Sequence, residues 1–252
     1  MSEVRHDSTR NLLLRSLSPD DFVSFSASLE PATLGLRQAI IKPGVEITHI
    51  WFFETAVASI VATSSAGRKS EVGLCGREGL LDVGAVQGAT TAVFECFAQI
   101  PGKAWRVPVD VVQAAMAQSH TLRSVIMRYV HSFIVQIAHT ALVNASHTLD
   151  QRLARWLLMT HDRIEGDDIT MTHEFLSIML GVRRAGVTTT IHKLENAGLI
   201  RSRRALITVI DRAGLERLAG DAYGIPEHEY GKLLGVDFRP RRLPVNSVGV
   251  SA

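Results

Sequence analysis

Between Thr170 and Ile200 the chain carries two short helical stripes joined through Leu180-Gly181-Val182, and this arrangement restricts the fold more than any other stretch. Thr172 is a natural N-cap, because its hydroxyl can accept from an otherwise unpaired backbone N–H. Phe175, Leu176 and Met179 then recur at helical spacing. Gly181 falls where the first helix must end in a left-handed residue, a conformation that penalises any side chain with a Cβ. Val182 plugs the turn, Val187, Ile191 and Leu194 make the buried stripe of a second helix, and Gly198 closes it. The expected product is a helix-turn-helix with its second helix at about residues 183–196.

The outward positions of that second helix are Arg183, Arg184, Ala185, Thr188, Thr189, His192 and Lys193. Polar donors at a helix N-terminus reach base edges in a major groove while flanking cations hold phosphates. Arginine matches guanine O6 and N7 in bidentate fashion, and threonine offers a hydroxyl or a methyl. Leu199 to Ile210 reads as two short strands around the basic turn Arg201-Ser202-Arg203-Arg204, a wing placed to lie along the backbone. The net charge of the chain is only +2, so the local cluster between Gly181 and Arg204, six cations against Glu195 alone, carries the electrostatic argument. Arg183, Arg184, Thr188, Thr189, His192, Lys193, Arg201, Arg203 and Arg204 are the candidate DNA-binding residues, with Arg184 and Thr188 as base readers. The alternative is a ligand-binding or interaction module whose winged helix meets protein.

Upstream, Ser18-Pro19-Asp20-Asp21 opens a short helix with a cap, a proline and acids in its first turn. Residues 34–108 change character: runs such as Glu46–Phe53, Val57–Thr63 and Ala92–Ala98 alternate with Gly, Pro and Ser breaks, as in an antiparallel barrel or sandwich. No Pro or Gly occurs from Val109 to Ile164. A helix of roughly 25 residues from near Ser119, about 38 Å long, has apolar positions at 3–4 spacing. Its length suits packing on its own barrel and on a second copy. Leu122, Ile126, Tyr129, Phe133 and Ile137 are the residues expected at a homodimer interface. The domains expected are 15–108 (barrel), 109–146 (connecting and dimerisation helices) and 147–220 (winged helix), with 236–252 a disordered tail.

Other functions find little support. Cys75 and Cys96 make neither a CxxC nor a zinc spacing and fit a cytoplasmic protein with reduced thiols. No segment approaches the ~18 apolar residues of a membrane span, and Met1–Arg10 lacks a signal-peptide core. His49 is the only histidine between residues 34 and 108, so a barrel metal site has no ligand set. GxSxG, HExxH and nucleotide-loop fingerprints are absent, and the chain is not read as an enzyme.

The order barrel, long helix, winged helix-turn-helix resembles the Crp/Fnr superfamily of bacterial transcription regulators, over about residues 15–220. The likeness is strongest from Leu180-Gly181-Val182-Arg183-Arg184 to Leu194-Glu195. It extends to Ile41-Lys42-Pro43-Gly44 and to Gly73-Leu74-Cys75-Gly76-Arg77-Glu78-Gly79. It implies an α+β fold with a cyclic-nucleotide-binding-like β-roll, a homodimer on double-stranded DNA, and RNA polymerase as a further partner. The family's recognition helix carries Arg, Glu and Arg, whereas here Arg184 is followed by Ala185 and Thr189, so the usual half-site is not implied. Cyclic-nucleotide-binding members have an Arg that pairs the cyclic phosphate. No Arg or Lys lies between Glu78 and Lys103, so no cofactor is expected and cyclic AMP and cyclic GMP are not expected effectors. No cysteine precedes Cys75, which excludes the family's N-terminal iron–sulfur type, and no histidine stands out as a haem ligand.

Overall fold

A computed structural model of the chain describes residues 5–236. The tail expected at 236–252 therefore lies outside the described residues, apart from Val236. Two short helices open the described chain, α1 (Leu12–Arg15) and α2 (Pro19–Ser26). Ser18 caps α2 by accepting from Asp21 N, with Pro19 in the first turn.

Eight strands follow: β1 (Glu30–Leu34), β2 (Ala39–Ile41), β3 (His49–Phe53), β4 (Val57–Thr63), β5 (Lys69–Cys75), β6 (Leu80–Leu81), β7 (Glu95–Ile100) and β8 (Gly102–Pro108). They form two antiparallel sheets in the orders β1-β8-β3-β6 and β2-β7-β4-β5. Ile50, Phe52, Ile60, Leu80, Cys96 and Val107 are buried in the core between them, with Phe22 and Phe25 of α2 in the same cluster. A short helix, α3 (Val83–Val86), is capped by the Asp82 carboxylate.

The chain leaves the barrel through α4 (Val109–Gln118) and enters α5 (His120–Ser146), whose 27 residues span about 40 Å. Ser119 caps α5 and also donates to Asp21 Oδ1 at 2.5 Å, tying the helix start to α2. One face of α5 belongs to the barrel core. Tyr129 donates to Leu80 O at 3.0 Å, and a Cβ on Gly79 would sit 1.9 Å from the Tyr129 ring, so only glycine admits this approach.

This arrangement corrects the expected dimer interface. Leu122, Ile126, Tyr129 and Phe133 are all buried within their own chain and are not available to a second copy; Ile137 is half-buried against the same core. The wide apolar stripe contains two faces, and the larger side chains take the barrel. The outward face holds His131, Ile134, Ala138, Ala141 and Ala145, spaced 3-4-3-4, with Leu142 beside it. Ile134 and Leu142 remain 51% and 56% exposed.

The remaining elements are α6 (Leu149–His161), β9 (Asp168–Thr170), α7 (His173–Leu180), α8 (Arg184–Asn196), β10 (Ile200–Arg203), β11 (Leu206–Val209), α9 (Arg212–Ala219) and α10 (Ile225–Leu234). Strands β10, β11 and β9 make a small antiparallel sheet behind α7 and α8. A second core, with Leu157, Leu176, Val187, Ile191 and Ile207, is continuous with Val57, Val61 and Leu74 of the barrel. Helix α10 returns to α5, where Tyr230 donates to Glu78 O at 2.7 Å. Among the described residues, no helix is long and apolar enough to cross a membrane.

Candidate nucleic-acid interface

Local chemistry builds the two helices as the sequence predicts. Thr172 caps α7 by accepting from Phe175 N, and Gly181 stands at φ +63°, closing the helix in the left-handed region. Arg183 is the extended residue before α8, so the helix proper begins at Arg184. Val187, Thr190, Ile191 and Leu194 are its buried face. Glu195 Oε1 accepts from Ser202 N at 2.9 Å and fixes the second helix to the wing. The wing turns through Arg204-Ala205, with Ala205 itself left-handed at φ +56°.

All the candidate DNA-binding residues fall on this unit. Arg183, Arg184, Thr189, His192, Lys193, Arg201, Arg203 and Arg204 are exposed, and Thr188 is half-buried. Their partners are few and loose. Arg184 Nε lies 3.9 Å from Glu174, Lys193 Nζ 3.3 Å from Asp150, and His192 Nδ1 3.8 Å from Glu195. Exposed pairs of this kind contribute little and open readily to a competing anion. Thr188 is more engaged: its hydroxyl lies 3.0 Å from His173 Nδ1 and donates to Arg184 O at 3.2 Å. Burial, with Arg184 and His192 nearby, holds the His173 imidazole below its ordinary pKa. Thr189 also donates back, to Ala185 O at 3.1 Å.

The junction between barrel and winged helix was not foreseen. Glu71 on β5 accepts from Ser59 and from Trp156 Nε1, the latter at 2.9 Å, and burial pushes its carboxyl up to about 7. Glu78 pairs with Arg163 at 2.9 Å, both side chains almost fully buried. Burial alone would pull the Arg163 guanidinium down, but Glu78 and Asp162 hold it above its ordinary pKa. Asp162 in turn pairs with Arg212 at 2.7 Å and accepts from Tyr223 at 2.7 Å. The one hint in the sequence was α7 itself, His173-Glu174-Phe175-Leu176-Ser177-Ile178-Met179-Leu180, too apolar all round for a helix with one solvent face.

The barrel carries a half-open pocket of about 200 Å³ between α3 and α5, lined largely by apolar side chains such as Ile60, Leu80, Leu81, Val83 and Phe133. Asp82, Gln87 and Thr91 are the polar side chains in its wall, and no Arg or Lys lines it. Such a wall offers no cation to a buried phosphate.

With this geometry in place, residues 151–218 match the model of the Crp-like helix-turn-helix domain. The chain carries a Crp-like helix-turn-helix on the fold of Crp/Fnr regulators. That fold is shared with a Crp/Fnr-family transcriptional regulator from Eubacterium rectale ATCC 33656, at 18% identity and a TM-score of 0.63, over 82% of this chain and 97% of that one. It is shared with a CRP-family regulator from Thermus thermophilus, at 18% identity and TM-score 0.64, over 75% and 96%. FixK2 from Bradyrhizobium japonicum is similar at 14% identity and TM-score 0.65, over 76% and 98%. No curated protein matches the chain. The comparisons thus give a Crp-like helix-turn-helix domain at residues 151–218 and, over most of the chain, the fold of these regulators.

Proposed function

We propose that this Crp/Fnr-type regulator acts as a homodimer on a two-half-site operator, with α8 in the major groove and the wing on the backbone. The observation that carries the reading is the exposed, weakly paired cation set of α8 and the wing on a Crp-like helix-turn-helix. Arg184 is the principal base reader. Thr188 and Thr189 offer methyl groups and remaining lone pairs, since their hydroxyl protons are directed into the helix. Arg183, Lys193, Arg201, Arg203 and Arg204 hold phosphates, and His192 flanks them.

Two copies meet along the outward face of α5, through Ile134, Ala138, Ala141 and Leu142. A two-fold axis there places half-sites about one helical turn, roughly 34 Å, apart or at multiples of that spacing. The units that do this are the barrel of residues 15–108, the helices of 109–146 and the winged helix of 147–220. Cyclic AMP and cyclic GMP are not the effectors, because the pocket wall offers no cation for the phosphate.

A salt titration of DNA affinity tests the reading. Phosphate contacts predict a log–log slope of about −0.9 per phosphate neutralised, hence a steep loss with salt. A flat response would refute it.

A further inference from the structure

Helix α7 is covered on two sides. Leu176 faces the winged-helix core, while Phe175 stacks edge-on against Phe97 of β7 at 5.5 Å and Met179 meets the Ser59 hydroxyl of β4. In helix-turn-helix proteins the first helix crosses the DNA backbone while the second enters the groove. The barrel edge therefore stands beside the path of that backbone, and what it carries there decides whether it opposes DNA or joins in holding it.

It carries cations at both ends of α7. The guanidinium of Arg37, in the turn between β1 and β2, lies 5.3 Å from the centroid of Phe175 in the first turn of α7. At the other end, the β4–β5 hairpin reaches the turn between α7 and α8: a Cβ on Gly181 would come within 3.5 Å of the Ser70 hydroxyl. Arg68 and Lys69 precede Ser70, and the hairpin loop Ser64-Ser65-Ala66-Gly67-Arg68 contains no acid. Lys69 is occupied by Glu95 at 2.5 Å. Arg37 and Arg68 are exposed, and among the described residues neither forms an ion pair. Exposed guanidiniums that no carboxylate of the described residues pairs suit a polyanion, although Glu95 and Glu174 lie on the same edge.

We propose that the barrel is part of the DNA interface, with Arg37 and Arg68 each holding a backbone phosphate that flanks those held by the winged helix. This rests on the DNA-binding reading and extends it from the winged helix to the barrel. It also gives the barrel a direct route to affinity, since any change in its seat on α7 moves two phosphate contacts.

The test is a salt titration of a fluorescein-labelled, random-sequence duplex of about 40 base pairs with the wild-type protein, Arg37→Gln and Arg68→Gln. Arg203→Gln, on the wing, serves as the positive control, and Arg68→Lys keeps the charge. Each glutamine variant removes one phosphate contact per protomer, two per dimer, and should flatten the log–log slope by about 1.8 and weaken binding roughly 60-fold at about 0.1 M salt. Arg68→Lys should keep the wild-type slope. Glutamine retains the polar character of both exposed sites, and an unchanged melting curve confirms that the fold is intact. If Arg203→Gln flattens the slope while Arg37→Gln and Arg68→Gln match or exceed wild-type affinity, the barrel is a bystander or an obstacle and the proposal falls alone. A flat wild-type response overturns it together with the DNA-binding reading.

Discussion

On α8 and the wing, cations stand in solvent with distant partners; at the junction between barrel and winged helix, charges are buried and tightly paired. Arg184 lies 3.9 Å from its carboxylate, whereas Arg163 lies 2.9 Å from Glu78 with almost no exposure on either side. Surface pairs of the first kind contribute about 0–1 kcal/mol and yield to another anion. A buried pair resists the loss of either member, because the survivor is left charged in a poor solvent. The charges of α8 and the wing are thus free to exchange partners, as the proposed recognition surface requires, whereas those of the junction are fixed in place.

The largest effect that sharpens this contrast comes from Arg163→Met. It leaves Glu78 buried without its cation and should cost roughly 3–5 kcal/mol in denaturant unfolding. The double variant with Glu78→Gln should recover much of the loss. A loss near that of a surface substitution would dissolve the distinction between the two regions.

The next effect is a pH dependence confined to the junction. The Glu71 carboxyl is raised from 4.5 to about 7 in the folded protein, first by burial, with Ser59, Trp156 and Arg155 opposing. Its contribution to stability is thus fully present below pH 4.5 and lost as pH rises to about 7, an effect of about 3 kcal/mol. Unfolding of Glu71→Gln followed between these limits should lack that slope. Equal slopes in both proteins would remove Glu71 from the account.

On the recognition surface the expected effects are smaller and appear in binding. Arg184→Ala should cost roughly 1–3 kcal/mol of specific affinity and relax sequence preference, with stability unchanged. An equal loss on every sequence would make Arg184 a phosphate contact. The outward face of α5 comes last: Ile134→Glu should weaken self-association about tenfold, or about 1.4 kcal/mol. The test is sedimentation equilibrium; a dimer of undiminished strength would place the interface elsewhere.

What was legible in the sequence follows from how local its causes are. The Thr172 cap, the Gly181 turn and the short β10–β11 hairpin are set by residues a few positions apart, and each formed as read. The faces of α5 were less legible, because an apolar stripe wider than one interface cannot say which part meets the barrel. Tyr129 and Phe133 went inward, leaving smaller residues outward. The apolar character of α7 hints that something covers it, but the pairings of the junction were not legible. Trp156 and Glu71 are 85 positions apart, as are Arg163 and Glu78, and only the folded chain brings them together.

The central claim, that α8 reads DNA, is tested most directly by selecting duplexes from a random library with the wild-type protein and with Arg184→Ala. The account predicts enrichment of an inverted repeat with its half-sites about one helical turn, or a multiple of it, apart. It also predicts that one base position in each half-site loses its preference in the variant. No enrichment with the wild-type protein, or an identical motif from both, would contradict it.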